Sequence, residues 1–137
     1  MIYKLERLKG VHPGLVAAVY RLGTASFGFD VFVLEGARTL EKQKRLIANG
    51  ASNLSDPTKG HHLIQSSGFA HAVDIAPVLD TDSDGDTEIS WHWPHYEHLS
   101  TYMKSIARDL GLPIRWGGDW TSFKDGPHWE LPRDFKP

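Results

Sequence analysis

No cysteine occurs in the 137 residues. That excludes disulfides, thiolate metal ligands and cysteine nucleophiles, and leaves histidine and carboxylate as the donors for any bound metal. A basic surplus is missing too: 15 Lys+Arg stand against 17 Asp+Glu, a formal charge of -2, with no basic run to track a phosphate backbone. Nucleic acid is therefore not expected as a partner. The opening Met1-Ile2-Tyr3-Lys4-Leu5-Glu6-Arg7 has no apolar leader core, and no apolar run approaches membrane-spanning length. The expectation is a chain made in the cytoplasm, with no export signal and no membrane anchor. Its length predicts one domain over residues 1–137, acting as a monomer, with chemistry and target recognition sharing one core.

What is present alternates helix and strand signals. Pro13 and Gly14 precede Leu15, Val19 and Leu22 at helical spacing, a first helix that Gly23 or the stretch Thr24-Ala25-Ser26 ends. The run from Phe29 to Leu34 is apolar on both faces except at Asp30, as in an interior strand. Thr39 can cap a second helix that presents Leu40, Gln43 and Leu46/Ile47 on one face and stops at Gly50. Residues 51–67 read as a long polar loop, and 70–76 as a second strand stopped by Pro77. Pro94 starts a third helix carrying Leu99, Tyr102, Met103, Ile106 and Leu110, with Gly111 as its stop. Two short strands, 114–116 and 128–131, flank a turn-rich segment. This order by itself allows a parallel α/β sheet as well as an antiparallel one.

Three separated stretches supply parts for one metal ion and one attacking water: His62, Asp74, and the cluster Asp125-Gly126-Pro127-His128. Two imidazoles and a carboxylate leave the fourth position of a zinc ion open to water, and a second carboxylate nearby can take that water's proton. His61 and His71 are rivals to His62. Residues three apart on a strand point to opposite faces, which separates His71 from Asp74 and puts Ala72 on the face of Asp74. His12, His92, His95 and His98 lie near helix starts, where capping or surface roles are the simpler expectation, with His98 and Tyr102 packed as neighbours. The five tryptophans suit core and cleft walls. Asp119 is read equally as an acceptor for a ligand imidazole or as a turn residue. Asp80, Asp82, Asp84 and Gly85 match the first half of a calcium-binding loop, but position 12 is Trp91 where a bidentate Glu is required. Glu88 is the one group that could compensate; a solvated hairpin tip is the favoured reading, with Ca2+ the lesser alternative.

Several blocks resemble a known family: Glu35-Gly36-Ala37-Arg38-Thr39 with Gln43, the Gly-Phe-Ala-His-Ala-Val-Asp-Ile-Ala-Pro run ending at Pro77, Arg115-Trp116-Gly117-Gly118-Asp119-Trp120, and Asp125-Gly126-Pro127-His128-Trp129-Glu130-Leu131. They are similar to zinc peptidases of the D-alanyl-D-alanine carboxypeptidase and VanX type, and among these to compact phage endolysins that cut the peptide of bacterial peptidoglycan, often between L-alanine and D-glutamate. The likeness runs from about Val11 to Pro132. It implies an α+β fold, a small, mainly antiparallel sheet flanked by helices. It also implies Zn2+ held by His62, Asp74 and His128, Asp125 as general base, and Arg38 as the cation that meets the tetrahedral intermediate. The family places its first histidine seven residues before the aspartate, where this chain has Ser67. An insertion of about five residues in the 63–67 loop moves that ligand back to His61 or His62, and His62 is preferred because an apolar residue follows it. The resemblance implies the peptidoglycan stem peptide as substrate. It further implies an endolysin held in the host bacterial cytoplasm until another protein breaches the membrane. A D,D-carboxypeptidase or dipeptidase, and a non-catalytic zinc-containing wall-binding domain, are the alternatives.

Overall fold

The computed structural model describes residues 1–50 and 60–135. Most of the predicted 51–67 loop therefore lies outside the described residues. In chain order the elements are β1 (Ile2–Tyr3), α1 (Pro13–Thr24), β2 (Asp30–Glu35), α2 (Leu40–Ala48), β3 (Ala72–Leu79), β4 (Glu88–Ile89), α3 (Trp93–Leu110), β5 (Arg115–Trp116) and β6 (His128–Glu130). Short 3-10 turns cover Leu5–Leu8 and Gly117–Asp119. The sheet runs β1-β2-β3-β6-β5, with β4 pairing the far end of β3. Among the described strands only β1 and β2 pair in parallel. The architecture is α+β with a mainly antiparallel sheet.

Strand periodicity divides the sheet into two working faces. Cross-strand partners Val33 and Ile75, then Val73, Trp129 and Trp116, share one face. It packs under α1 and α3 through Leu15, Val19, Leu22, Leu99 and Met103 in one core cluster. Each such fully buried aliphatic side chain stabilises the fold by about 1.5–3 kcal/mol. Trp129 stacks on Trp116 at 5.8 Å and Trp116 on Trp93 at 5.7 Å between ring centroids. The alternate residues, Asp74 opposite His128 and Glu130 opposite both Ala72 and Arg115, take the other face. A bulge between Val33 and Glu35 shifts the register so that Glu35, rather than Leu34, lies opposite Asp74.

The helix ends follow their sequence signals. His12 caps α1 by accepting from the Gly14 N–H at 2.9 Å. Thr39 Oγ1 accepts from the Lys42 N–H at 3.1 Å to start α2, and Gly111, at φ 69, closes α3. One expectation fails at Pro77. The strand continues through it to Leu79, because the Pro77 carbonyl accepts from Ser90 at 2.9 Å and the ring nitrogen faces the same side. On that side β6 pairs residues 72–74 and β4 pairs 78–79, so the proline occupies a gap where no ladder donor is needed. The two-residue strands β1 and β4 carry too little pattern to be read from sequence. Among the described residues no helix is long and apolar enough to cross a membrane.

Candidate metal centre

Asp74 and His128 leave neighbouring strands directly opposite one another. His128 Nδ1 lies 3.1 Å from Asp74 Oδ1. His62 reaches the same oxygen with Nε2 at 3.2 Å, from a turn that is tied down on both sides: the Arg38 N–H donates to the His62 carbonyl at 2.7 Å and the His71 N–H to the His61 carbonyl at 2.8 Å. One donor atom from each of His62, Asp74 and His128 lies within 4.8 Å of the others. Ligands around a tetrahedral ion with bonds near 2.0 Å stand roughly 3.3 Å apart, so the three suit one small cation.

The outer nitrogen of each ring has an acceptor that fixes its tautomer. His62 Nδ1–H donates to the Gly36 carbonyl at 2.7 Å, leaving the Nε2 lone pair toward Asp74. His128 Nε2–H donates to Glu130 Oε1 at 2.8 Å, leaving Nδ1 on the inner side. Burial pushes the Asp74 carboxyl up, but hydrogen bonds from His128 and His62 overcome it and hold the group far below the usual carboxylate range. Burial pulls His128 down, yet its bonds to Asp74 and Glu130 raise it to about 9. A dication bound between these groups would take the place of the protons they share.

Asp125 lies one turn before β6, its N–H donating to the Gly117 carbonyl at 3.1 Å and its carbonyl accepting from the His128 N–H at 3.2 Å. Burial and then the charge of Asp74 raise its pKa, against the pull of His128, His62 and Arg38. That is the direction a general base needs. Arg38, in the β2–α2 turn, is clamped by Glu35: Nε to Oε1 at 2.8 Å and Nη2 to Oε2 at 2.7 Å. Its Nη1 donates to Gln43, which is wholly buried on α2. Burial pushes Glu35 up, and the hydrogen bonds and charge of Arg38 hold it below its ordinary value.

The rival histidines sit elsewhere. His61 points to Glu130, its Nε2 3.3 Å from Oε2, and burial lowers it to about 4 against that carboxylate's charge. His71 is fully buried, donating from Nδ1 to the Pro132 carbonyl at 2.8 Å and meeting the Ser67 hydroxyl with Nε2 at 2.7 Å. Asp119, weighed as an imidazole acceptor, instead pairs with Lys104 at 2.8 Å on the surface. Glu130 takes that part. Its i, i+2 spacing from His128 on a strand was the available signal; the Gly36 carbonyl, a backbone group, left none. Trp120 lines the site with its ring centroid 5.1 Å from that of His128. His12 is a cap, as expected, but a buried one rather than a surface group.

The acidic segment is a hairpin tip between β3 and β4. Asp80, Asp82, Asp84 and Glu88 could converge on a cation. However, Asp80, Asp82 and Asp84 already accept backbone N–H groups of Asp84, Gly85 and Asp86 within the loop. Trp91, at the position that needs a bidentate carboxylate, is an exposed indole. Beyond that convergence nothing in the loop supports the calcium alternative.

Two imidazoles and a carboxylate converging beside a second carboxylate and a clamped guanidinium form the donor arrangement of hydrolases that activate water on a metal ion. The sequence matches the family described as "Phage L-alanyl-D-glutamate peptidase" over residues 3–133, and the chain belongs to that family. It is 30% identical over 98 residues to the L-alanyl-D-glutamate peptidase of Escherichia phage T5, covering 71% of this chain and 64% of that protein. It is 28% identical over 123 residues to the peptidoglycan L-alanyl-D-glutamate endopeptidase CwlK of Bacillus subtilis, covering 84% of this chain and 68% of that one. The crystal structure of Serratia marcescens L-Ala D-Glu endopeptidase ChiX superposes with a TM-score of 0.75 at 29% identity, covering 96% of this chain and 90% of the other. The chain thus spans just under two thirds of the length of the T5 relative.

Proposed function

We propose that this chain is a single-domain zinc peptidase that hydrolyses the peptidoglycan stem peptide internally, between L-alanine and D-glutamate, as a phage-type endolysin. One observation carries the reading: His62, Asp74 and His128 converge within 4.8 Å in a chain of the L-alanyl-D-glutamate peptidase family. The donor set fits zinc, with no thiolate and room for a fourth ligand. Zinc held there supplies Lewis acidity and lowers the pKa of water toward neutrality.

The protein's own groups do the rest. Asp125 takes a proton from the water as its oxygen attacks the alanyl carbonyl carbon. Arg38, pre-set by Glu35 and Gln43, donates to the oxygen that becomes negative. As the carbon–nitrogen bond breaks, Asp125 returns the proton to the leaving amine of D-glutamate. Glu130 and the Gly36 carbonyl keep the His128 and His62 rings in their tautomers throughout.

Digestion of purified sacculi followed by mass spectrometry tests the reading. New N-terminal D-glutamate with intact glycan strands is the expected product. New reducing sugar ends, or release of D-alanine alone, would overturn it.

A further inference from the structure

A cleft of about 380 Å³ opens at the sheet edge between α3 and β5, lined by Lys104, Arg108, Arg115, Trp116, Asp119 and Trp120 among others. It bears three cations and one anion in a chain whose formal charge is -2. Their commitments differ. Lys104 pairs with Asp119 at 2.8 Å and sits 5.0 Å from the Trp116 ring centroid. Arg115 gives one nitrogen to Glu130 at 2.7 Å, and its side chain is 52% exposed. Arg108 is exposed and has no carboxylate partner among the described residues. Trp120 joins this cleft to the catalytic face, since its ring also stands 5.1 Å from that of His128. Arg115 joins them a second time, through Glu130 to His128.

From this arrangement we infer that the cleft is a subsite for the anionic part of the substrate, the carboxylates on the D-glutamate side of the cut bond, with Arg108 and Arg115 as their partners. The inference rests on the proposed substrate. In an L-alanyl-D-glutamate sequence the alanine side is uncharged and the free carboxylate belongs to the glutamate side. A guanidinium offers paired N–H donors matched to a carboxylate, and Arg108 has all of its donors uncommitted to any acid. The indole walls of Trp116 and Trp120 exclude water from one side of such a pair and strengthen it.

The test compares kcat and KM on two stem peptides that differ only in whether the carboxylates beyond the scissile bond are free or amidated. Wild-type protein is expected to show a KM about fivefold to tenfold lower for the free acid, with similar kcat, and the preference should shrink with added salt. Arg108→Glu should abolish or invert the preference while Arg108→Lys keeps part of it; Arg108 is exposed, so neither change disturbs the core. Cleavage of both peptides with equal KM, or a preference unchanged in Arg108→Glu, overturns the subsite and leaves the peptidase reading standing. Cleavage of neither peptide by the wild type overturns both.

Discussion

Asp125 bears the greatest chemical demand in the proposed mechanism, and its surroundings fit it. Burial and the charge of Asp74 raise its pKa, and its carboxylate carries no hydrogen bond among the described residues, so it is free to take a proton. Asp125→Ala should keep bound zinc and lose on the order of 10²- to 10⁴-fold in kcat. Metal content and turnover measured on the same preparation decide it; turnover near wild type would move the base role to another group. Glu35 makes a prediction about stability. Its folded pKa is lowered by Arg38, so the stabilisation is full above the ordinary carboxylate value and is lost as pH falls through the lowered folded value. Melting temperatures of wild type and Glu35→Gln should differ at neutral pH and converge in acid, once the pH lies below the lowered folded value. A gap that persists at low pH would assign the loss to packing instead.

Among the elements, one exacting contact joins the Gly117–Asp119 turn to the segment carrying Asp125 and His128. A Cβ on Gly117 would stand 2.4 Å from the Asp125 carbonyl oxygen and 3.1 Å from the Cβ atoms of Asp125 and His128. The first of these is backbone and cannot swing aside. Gly117→Ala should therefore displace the proposed base and one proposed ligand together, and lose at least 10²-fold in kcat/KM, since misplacements near 1 Å cost about that much. Activity within a few-fold of wild type would show that the segment yields. The bulge in β2 sets Glu35 opposite Asp74, and Glu35 in turn clamps Arg38.

For the whole molecule, metal and fold are coupled. The proposed ligands come from a loop, β3 and β6, so an ion joining them binds only the folded chain. Zinc at a hundred times its Kd adds about 2.7 kcal/mol of stability, which for a domain of this size is a rise of several degrees in Tm. Chelation should lower the wild-type Tm by that amount and leave His62→Ala unmoved. An equal fall in both would place the metal elsewhere.

The sequence by itself determined the helices and the chemical inventory. Apolar spacing in Leu15, Val19 and Leu22, and in Leu99 and Met103, is local and repeats with the helix, and Thr39 and Gly111 mark ends through their own backbone needs. The blocks around Arg38, Asp74, Asp125 and His128 carried the family in linear order. Strands β1 and β4 escaped because two residues hold no period, and β3 ran past Pro77 because the vacancy on its flank depends on where β6 ends and β4 begins. The sequence preferred His62 and set His71 aside by strand alternation, but only the tertiary structure turns His62 to Asp74 and His61 to Glu130. Side-chain direction in a loop follows from distant tethers, here the Arg38 N–H and the Gly36 carbonyl. Glu130 rather than Asp119 serves the His128 ring; the i, i+2 spacing on β6 was legible in the sequence, whereas the pairing of Asp119 with Lys104 depends on where α3 packs.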